Sequence, residues 1–138
     1  MITCKGGDQL KNMPAKTPIS PHFSEDFSFK YKVTYGPEQH EYHTHKQFDI
    51  IFMLTPNSVC HVSEKNWKVP KNSIILFNNM DLHKITLNTH ERFERYTLSF
   101  KPEYIESLSS KETDLLECFF LRPFSNPYIL PLTIPQAE

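Results

Sequence analysis

No surplus of positive charge runs through this chain: 15 Lys and Arg are balanced by 16 Asp and Glu, leaving a formal charge of −1. Holding a phosphate backbone needs a clustered cationic excess, so the chain is not expected to grip DNA by itself. No apolar run approaches the roughly 20 residues of a membrane-spanning helix. The N-terminus also lacks the charged, apolar and small-residue sections of a signal peptide. A cytoplasmic protein with no membrane partner is therefore expected. Cysteine is scarce, and Cys4, Cys60 and Cys118 are odd in number, far apart and without C-x-x-C spacing. That pattern argues against a disulfide framework and a thiolate zinc site and predicts reduced, structural thiols. Internal repeats and low-complexity tracts are also missing.

What is present is enough for one domain. A chain of 138 residues buries roughly two-thirds of its unfolded surface around one core. Aromatics make up 13% of it, with eleven Phe and six Tyr, a composition that favours pleated strands over an Ala/Leu-rich helical bundle.

Residues 1–26 are polar and broken by Gly6, Gly7, Pro14, Pro18 and Pro21, with no sustained periodicity. They read as an N-terminal arm. Phe27, Phe29, Tyr31, Val33 and Tyr35 then alternate with Ser28, Lys30, Lys32 and Thr34, the period of a strand with one buried face. Phe48 to Leu54 is almost continuously apolar and reads as a strand covered on both faces. Shorter strands are expected at Val59–Val62, Trp67–Val69, Ser73–Phe77, His83–Leu87 and Phe93–Phe100, joined by polar turns. About seven strands without helical crossovers imply an antiparallel barrel or sandwich. Pro102 suits the start of a helix reaching about Leu108, and Ser110 a cap for a second over Thr113–Phe120. Tyr128 to Leu130 is the part of the proline-rich tail best suited to pair with the sheet.

The most informative spacing is His43-Thr44-His45 followed by Asp49, with His83 on a later strand. On a strand, His43, His45 and Asp49 share parity. Three imidazoles and a carboxylate converging at a barrel mouth form a ligand set for iron, manganese, nickel or zinc. The alternative reading is a group of hydrogen-bonded polar residues lining a pocket that holds no ion. Phe52, Trp67, Phe77 and Tyr96 are candidates to stack on a ligand there, or to pack in the core. His22, His40, His61 and His90 are expected to face solvent. Cys60 and His61 are adjacent on a strand and point to opposite faces, so they do not form a nucleophile and base.

The stretch HEYHTHKQFDIIFML resembles the first cupin motif, and VPKNSIILFNNMDLHKITL resembles the second. Together with FERYTLSFKPEYIESL and DLLECFF, they are most similar to the N-terminal sensing domain of AraC-type transcription regulators, over roughly residues 27–132. The resemblance implies a mainly β cupin fold, a double-stranded β-helix barrel with two short C-terminal helices. It also implies a small-molecule effector, such as a sugar, bound by His43, His45, Asp49 and His83, and a homodimer. DNA would be contacted only through a separate domain, with residues 133–138 as the start of the linker to it.

Three positions depart from the family pattern: Asp49 stands for Glu, Asn72 for Gly, and the loop Asn78-Asn79-Met80-Asp81 lacks a proline. Asn tolerates the left-handed backbone that Gly supplies. Asp49 withdraws its carboxylate by about one methylene, which favours a pocket without a cofactor. A metal-dependent cupin oxygenase or isomerase is the alternative, and catalysis is not otherwise expected.

Overall fold

The computed structural model describes residues 26–121 and 129–137. The expected arm up to Glu25 and Tyr128 in the tail therefore lie outside the described residues, while Asp26 at the arm's end is included.

Eight strands are described: β1 (Phe27–Tyr35), β2 (Phe48–Met53), β3 (Ser58–Val62), β4 (Lys65–Val69), β5 (Ser73–Phe77), β6 (His83–Thr86), β7 (Arg92–Phe100) and β8 (Ile129–Pro131). They form a five-stranded sheet, ordered β1-β7-β2-β5-β8, and a three-stranded sheet, ordered β4-β3-β6. Every pairing is antiparallel. The main core lies between the sheets, where Ile51 and Met53 of β2 meet Cys60 and Val62 of β3, Phe77 of β5 and Phe93 of β7.

Directly opposed residues in an antiparallel ladder share a face, so the register divides the large sheet in two. Asp49, Ile51 and Met53 pair with Ser99, Thr97 and Arg95 and face inward. Phe48, Ile50 and Phe52 face outward with Phe100, Leu98 and Tyr96. At one end of this outer face a second cluster forms, with Phe48, Leu76, Phe100 and Phe119 packed against Ile105 and Leu116. The unbroken apolar run of β2 is thus covered on both faces only at the Phe48 end, while Ile50 and Phe52 stay half-buried on the outer face.

The aromatic row of β1 behaves differently from expectation. β1 is an edge strand, and Phe29, Tyr31 and Val33 pair with the outward residues Leu98, Tyr96 and Glu94. Phe29 and Tyr31 stay exposed, packing sideways on Tyr96.

The two expected helices are shorter than their sequence pattern, with α1 at Pro102–Glu106 and α2 at Glu117–Phe120. Side chains take the backbone donors between them. Ser110 Oγ accepts from the N–H groups of Glu112 and Thr113, Ser109 Oγ from Leu115, and Asp114 Oδ1 from Leu116. Such local bonds compete with helical ones. A further single turn, α3, covers Ile134–Ala137. Among the described residues no helix is long and apolar enough to cross a membrane.

Two turns that position the site work without the family's usual residues. Asn72 adopts φ 56°, the left-handed backbone Gly would otherwise supply. In the loop before β6, Asn78 Oδ1 accepts from the N–H groups of Met80 and Asp81, while Asp81 Oδ2 accepts from Asn78 N–H. These reciprocal bonds hold the loop that no proline stiffens.

Candidate functional site: a histidine cluster and the barrel cavity

His43 and His45 come from the loop before β2, Asp49 from β2 and His83 from the start of β6. The loop, and not strand parity, brings the first two together, anchored where the backbones of His43 and His83 bond to each other in both directions at 3.1 Å. Their rings are 4.5 Å apart between centroids, and the His45 ring stands 5.2 Å from that of His83.

Each imidazole is oriented through its Nδ1. His43 donates to the carbonyl of Glu41 at 3.0 Å, His83 to that of Asp81 at 2.9 Å, and His45 to that of Gln47 at 2.7 Å. A carbonyl only accepts, so Nδ1 carries the proton in all of them. Nε2 is then the nitrogen each ring presents to the cluster. Ring N–H bonds to backbone carbonyls are the usual second layer around metal-binding histidines.

His45 differs from the other two because its Nε2 lies 3.0 Å from Asp49 Oδ2. With acceptors at both nitrogens it is held as the imidazolium. The bond to Asp49 raises its pKa above the ordinary value, outweighing the burial that lowers it. His83 goes the other way: it is buried, and burial depresses its pKa, partly offset by the Asp81 carbonyl. Its ring stacks on Phe77 at 3.9 Å with planes 12° apart.

One ligand atom from each of His43, His45 and His83 lies within 4.8 Å of the others. Nitrogens sharing an ion at about 2.1 Å stand no more than about 4.2 Å apart, so a pair at the full 4.8 Å must close by at least about half an ångström. The Nε2 atoms of His43 and His83, with that of His45 once it loses its proton, make a three-nitrogen set of the kind that suits a divalent ion, while the Oδ1 of Asp49 is buried without a hydrogen-bond partner. The three histidines therefore fit a metal, and Asp49, bonded to His45, stands outside that group, as its shorter side chain suggests.

Inward from the cluster lies a cavity of about 180 Å³, with His40, His43, Asp49, His83, Arg95 and Thr97 as its polar lining. Its apolar wall is Ile51, Ile85 and Phe93. Arg95 was missed by sequence reasoning, and His40 is exposed as expected while also bordering the cavity. Arg95 had a usable signal, an inward position on β7 by the same parity that places Phe93 inside.

The aromatic candidates separate. Phe77 supports the cluster through His83, and Trp67 packs half-buried against the inner core. Phe52 and Tyr96 line an apolar groove with Phe29, Ile50, Ile74 and Leu98 on the outer face, and so sit across the sheet from the cavity. His61 does not simply face solvent, since its nitrogens lie 2.6 Å from Asn66 Oδ1 and 2.9 Å from Thr86 Oγ1. His90 is exposed as expected, and His22 lies outside the described residues. Burial pushes the Cys60 thiol up to about 12, which leaves it protonated and inert as a nucleophile.

Two packed antiparallel sheets with a histidine cluster at one end define a cupin-type barrel, and solved structures agree. A cupin 2 conserved barrel domain protein from Salinispora arenicola superposes with a TM-score of 0.52 at 14% identity, covering 63% of this chain and 73% of that one. The plu4264 protein from Photorhabdus luminescens gives 0.52 at 16% identity, with 64% and 77% covered. At these identities the likeness shows the fold alone. The family model for the AraC-like ligand binding domain matches residues 31–132, and the chain belongs to that family. No curated protein sequence matches it.

Proposed function

We propose that this chain is the effector-sensing domain of an AraC-type transcription regulator, binding a small molecule in the barrel cavity. The observation that carries this reading is the cavity itself, walled by apolar side chains and bordered by converging polar groups, the usual make-up of a ligand site. DNA is contacted by a domain outside these 138 residues, in the cytoplasm, with residues 133–138 beginning the linker. The domain works as a homodimer, a role for which Leu108, Leu115 and Phe120 are available because they remain exposed. Effector binding shifts the population of domain arrangements, by no more than its differential affinity for them.

A thermal-shift screen of small metabolites tests the reading. A ligand at about a hundred times its Kd adds about 2.7 kcal/mol of stability, and His43→Ala should weaken that effect while the domain stays folded. A screen in which no metabolite raises Tm would overturn it.

The oriented Nε2 atoms favour a second reading, a metal-dependent cupin enzyme. His43, His45 and His83 would hold the ion beside Asp49, and such an ion supplies Lewis acidity or redox chemistry. Elemental analysis after loading with iron, manganese, nickel or zinc decides whether this reading survives. Protein that retains no ion removes it.

A further inference from the structure

We infer that the effector is a small carboxylic acid that also carries a hydrogen-bond donor, its acid group taken by Arg95 and its hydroxyl or amine by Asp49. This rests on the sensing reading above and narrows its ligand class.

Arg95 projects inward from β7, its side chain 11% exposed, with the guanidinium 4.0 Å above the Phe93 ring. Its contacts are loose, 3.3 Å to Glu38 Oε2 and 3.5 Å to Thr34 Oγ1. Charge-assisted bonds normally close to about 2.7–2.9 Å. A guanidinium also has more N–H donors than these two acceptors occupy.

Glu38 is a shared partner. Its carboxylate also lies 3.4 Å from Lys32 Nζ and accepts from Thr34 Oγ1 at 3.2 Å. Lys32 is half exposed and outside the cavity lining, but it draws on the same carboxylate, so Arg95 has only a shared and loosely held counter-charge. A cation withdrawn from water is costly unless it is well paired. An entering carboxylate can meet the unused edge of Arg95 with paired bonds, a geometry that suits guanidinium far better than a single ammonium.

The opposite requirement exists in the same cavity, where the buried Oδ1 of Asp49 accepts no bond. Between the two groups the wall carries Ile51 opposite Thr97, with Ile85 also in the lining, as suits a short carbon chain. A volume of about 180 Å³ equals roughly six waters at about 30 Å³ each, well below the roughly 300 Å³ at which pockets for drug-sized ligands begin. A neutral polyol would satisfy Asp49 and leave the unused N–H edge of Arg95 without a charged acceptor.

The test is calorimetric titration of chelator-treated protein, so that no acid binds through an ion. Lactate and hydroxybutyrate are compared with lactamide, hydroxybutyramide, glycerol and xylose. The acids should bind, and the amides should bind at least about tenfold more weakly, the fold-change of one lost charge-assisted bond. Arg95→Gln should abolish the preference. Glu38→Gln removes the competing carboxylate and should tighten the acids severalfold, which keeps the test decisive if Arg95→Gln fails to fold. Neutral compounds binding as well as the acids would overturn the inference and leave the sensing reading intact. Failure of every compound would overturn the inference too, and failure of the wider metabolite screen would take the sensing reading with it.

Discussion

The imidazolium of His45 donates to Asp49 Oδ2 at 3.0 Å, across four positions of chain, while its other nitrogen donates to the carbonyl of Gln47 at 2.7 Å. The pair ties the loop that carries His43 to the first inward residue of β2. It also places a proton where a metal ion would otherwise sit.

That bond has a signed pH dependence. The folded protein holds the His45 proton more tightly than the unfolded chain, so its stabilisation is complete below the ordinary imidazole pKa of about 6.5. It is lost as pH rises through the raised folded value. The Tm difference between wild type and His45→Gln should accordingly be larger near about pH 6 than near about pH 9. His83, depressed chiefly by burial, acts in the opposite sense, and that burial is kept in both proteins. A difference that grows towards alkaline pH would show that the bond is not made by the imidazolium.

Proton and metal compete for the same nitrogen. Adding nickel or zinc should raise Tm more at about pH 8 than at about pH 6, because His45 must lose its proton to become a ligand. His43→Ala should abolish the shift, since its ring is exposed and its loss leaves the core intact. A metal-induced shift of equal size in both proteins would place the ion elsewhere.

Ser58 is fully buried at the start of β3, and its hydroxyl has no hydrogen-bond partner. An unmatched buried polar group costs about 1–3 kcal/mol. Ser58→Ala should therefore be neutral or should stabilise the domain by up to about 1 kcal/mol, read from urea unfolding midpoints. Marked destabilisation would mean that the hydroxyl has a partner in solution.

Tyr96 stacks on Phe29 and Tyr31 on the outer face, while its chain neighbours Arg95 and Thr97 line the cavity. Tyr96→Ala should cost about 1 kcal/mol of stability through lost aromatic packing and leave effector affinity unchanged. Loss of affinity equal to that of a cavity variant would place this ring inside the site.

The positions of the strands along the chain were the more legible part, because turn residues and alternation are local signals. β2, β5 and β7 fall within a residue or so of their patterns, and Asn72 takes the backbone its type allows. Which face of a strand turns inward is not local. The aromatic row of β1 reads as buried, yet its placement at a sheet edge leaves Phe29 and Tyr31 exposed. The same ambiguity put Phe52 and Tyr96 beside the histidines, although parity along β2 separates Phe52 from Asp49. The histidine grouping was visible from spacing, but its geometry was not, since the orientation of each ring depends on carbonyls of a loop. Arg95 and Glu38 were hidden because their meeting depends on β7 passing beside the chain after β1.

β7 is a partition wall one residue thick. Arg95 and Thr97 stand on its cavity side and Glu94, Tyr96 and Leu98 on its outer side, in strict alternation along one backbone. Successive residues of a strand are only about 3.3 Å apart, so the cavity wall and the aromatic surface are two faces of a single backbone, and a substitution at one position of β7 alters one of them while leaving the other's side chains in place.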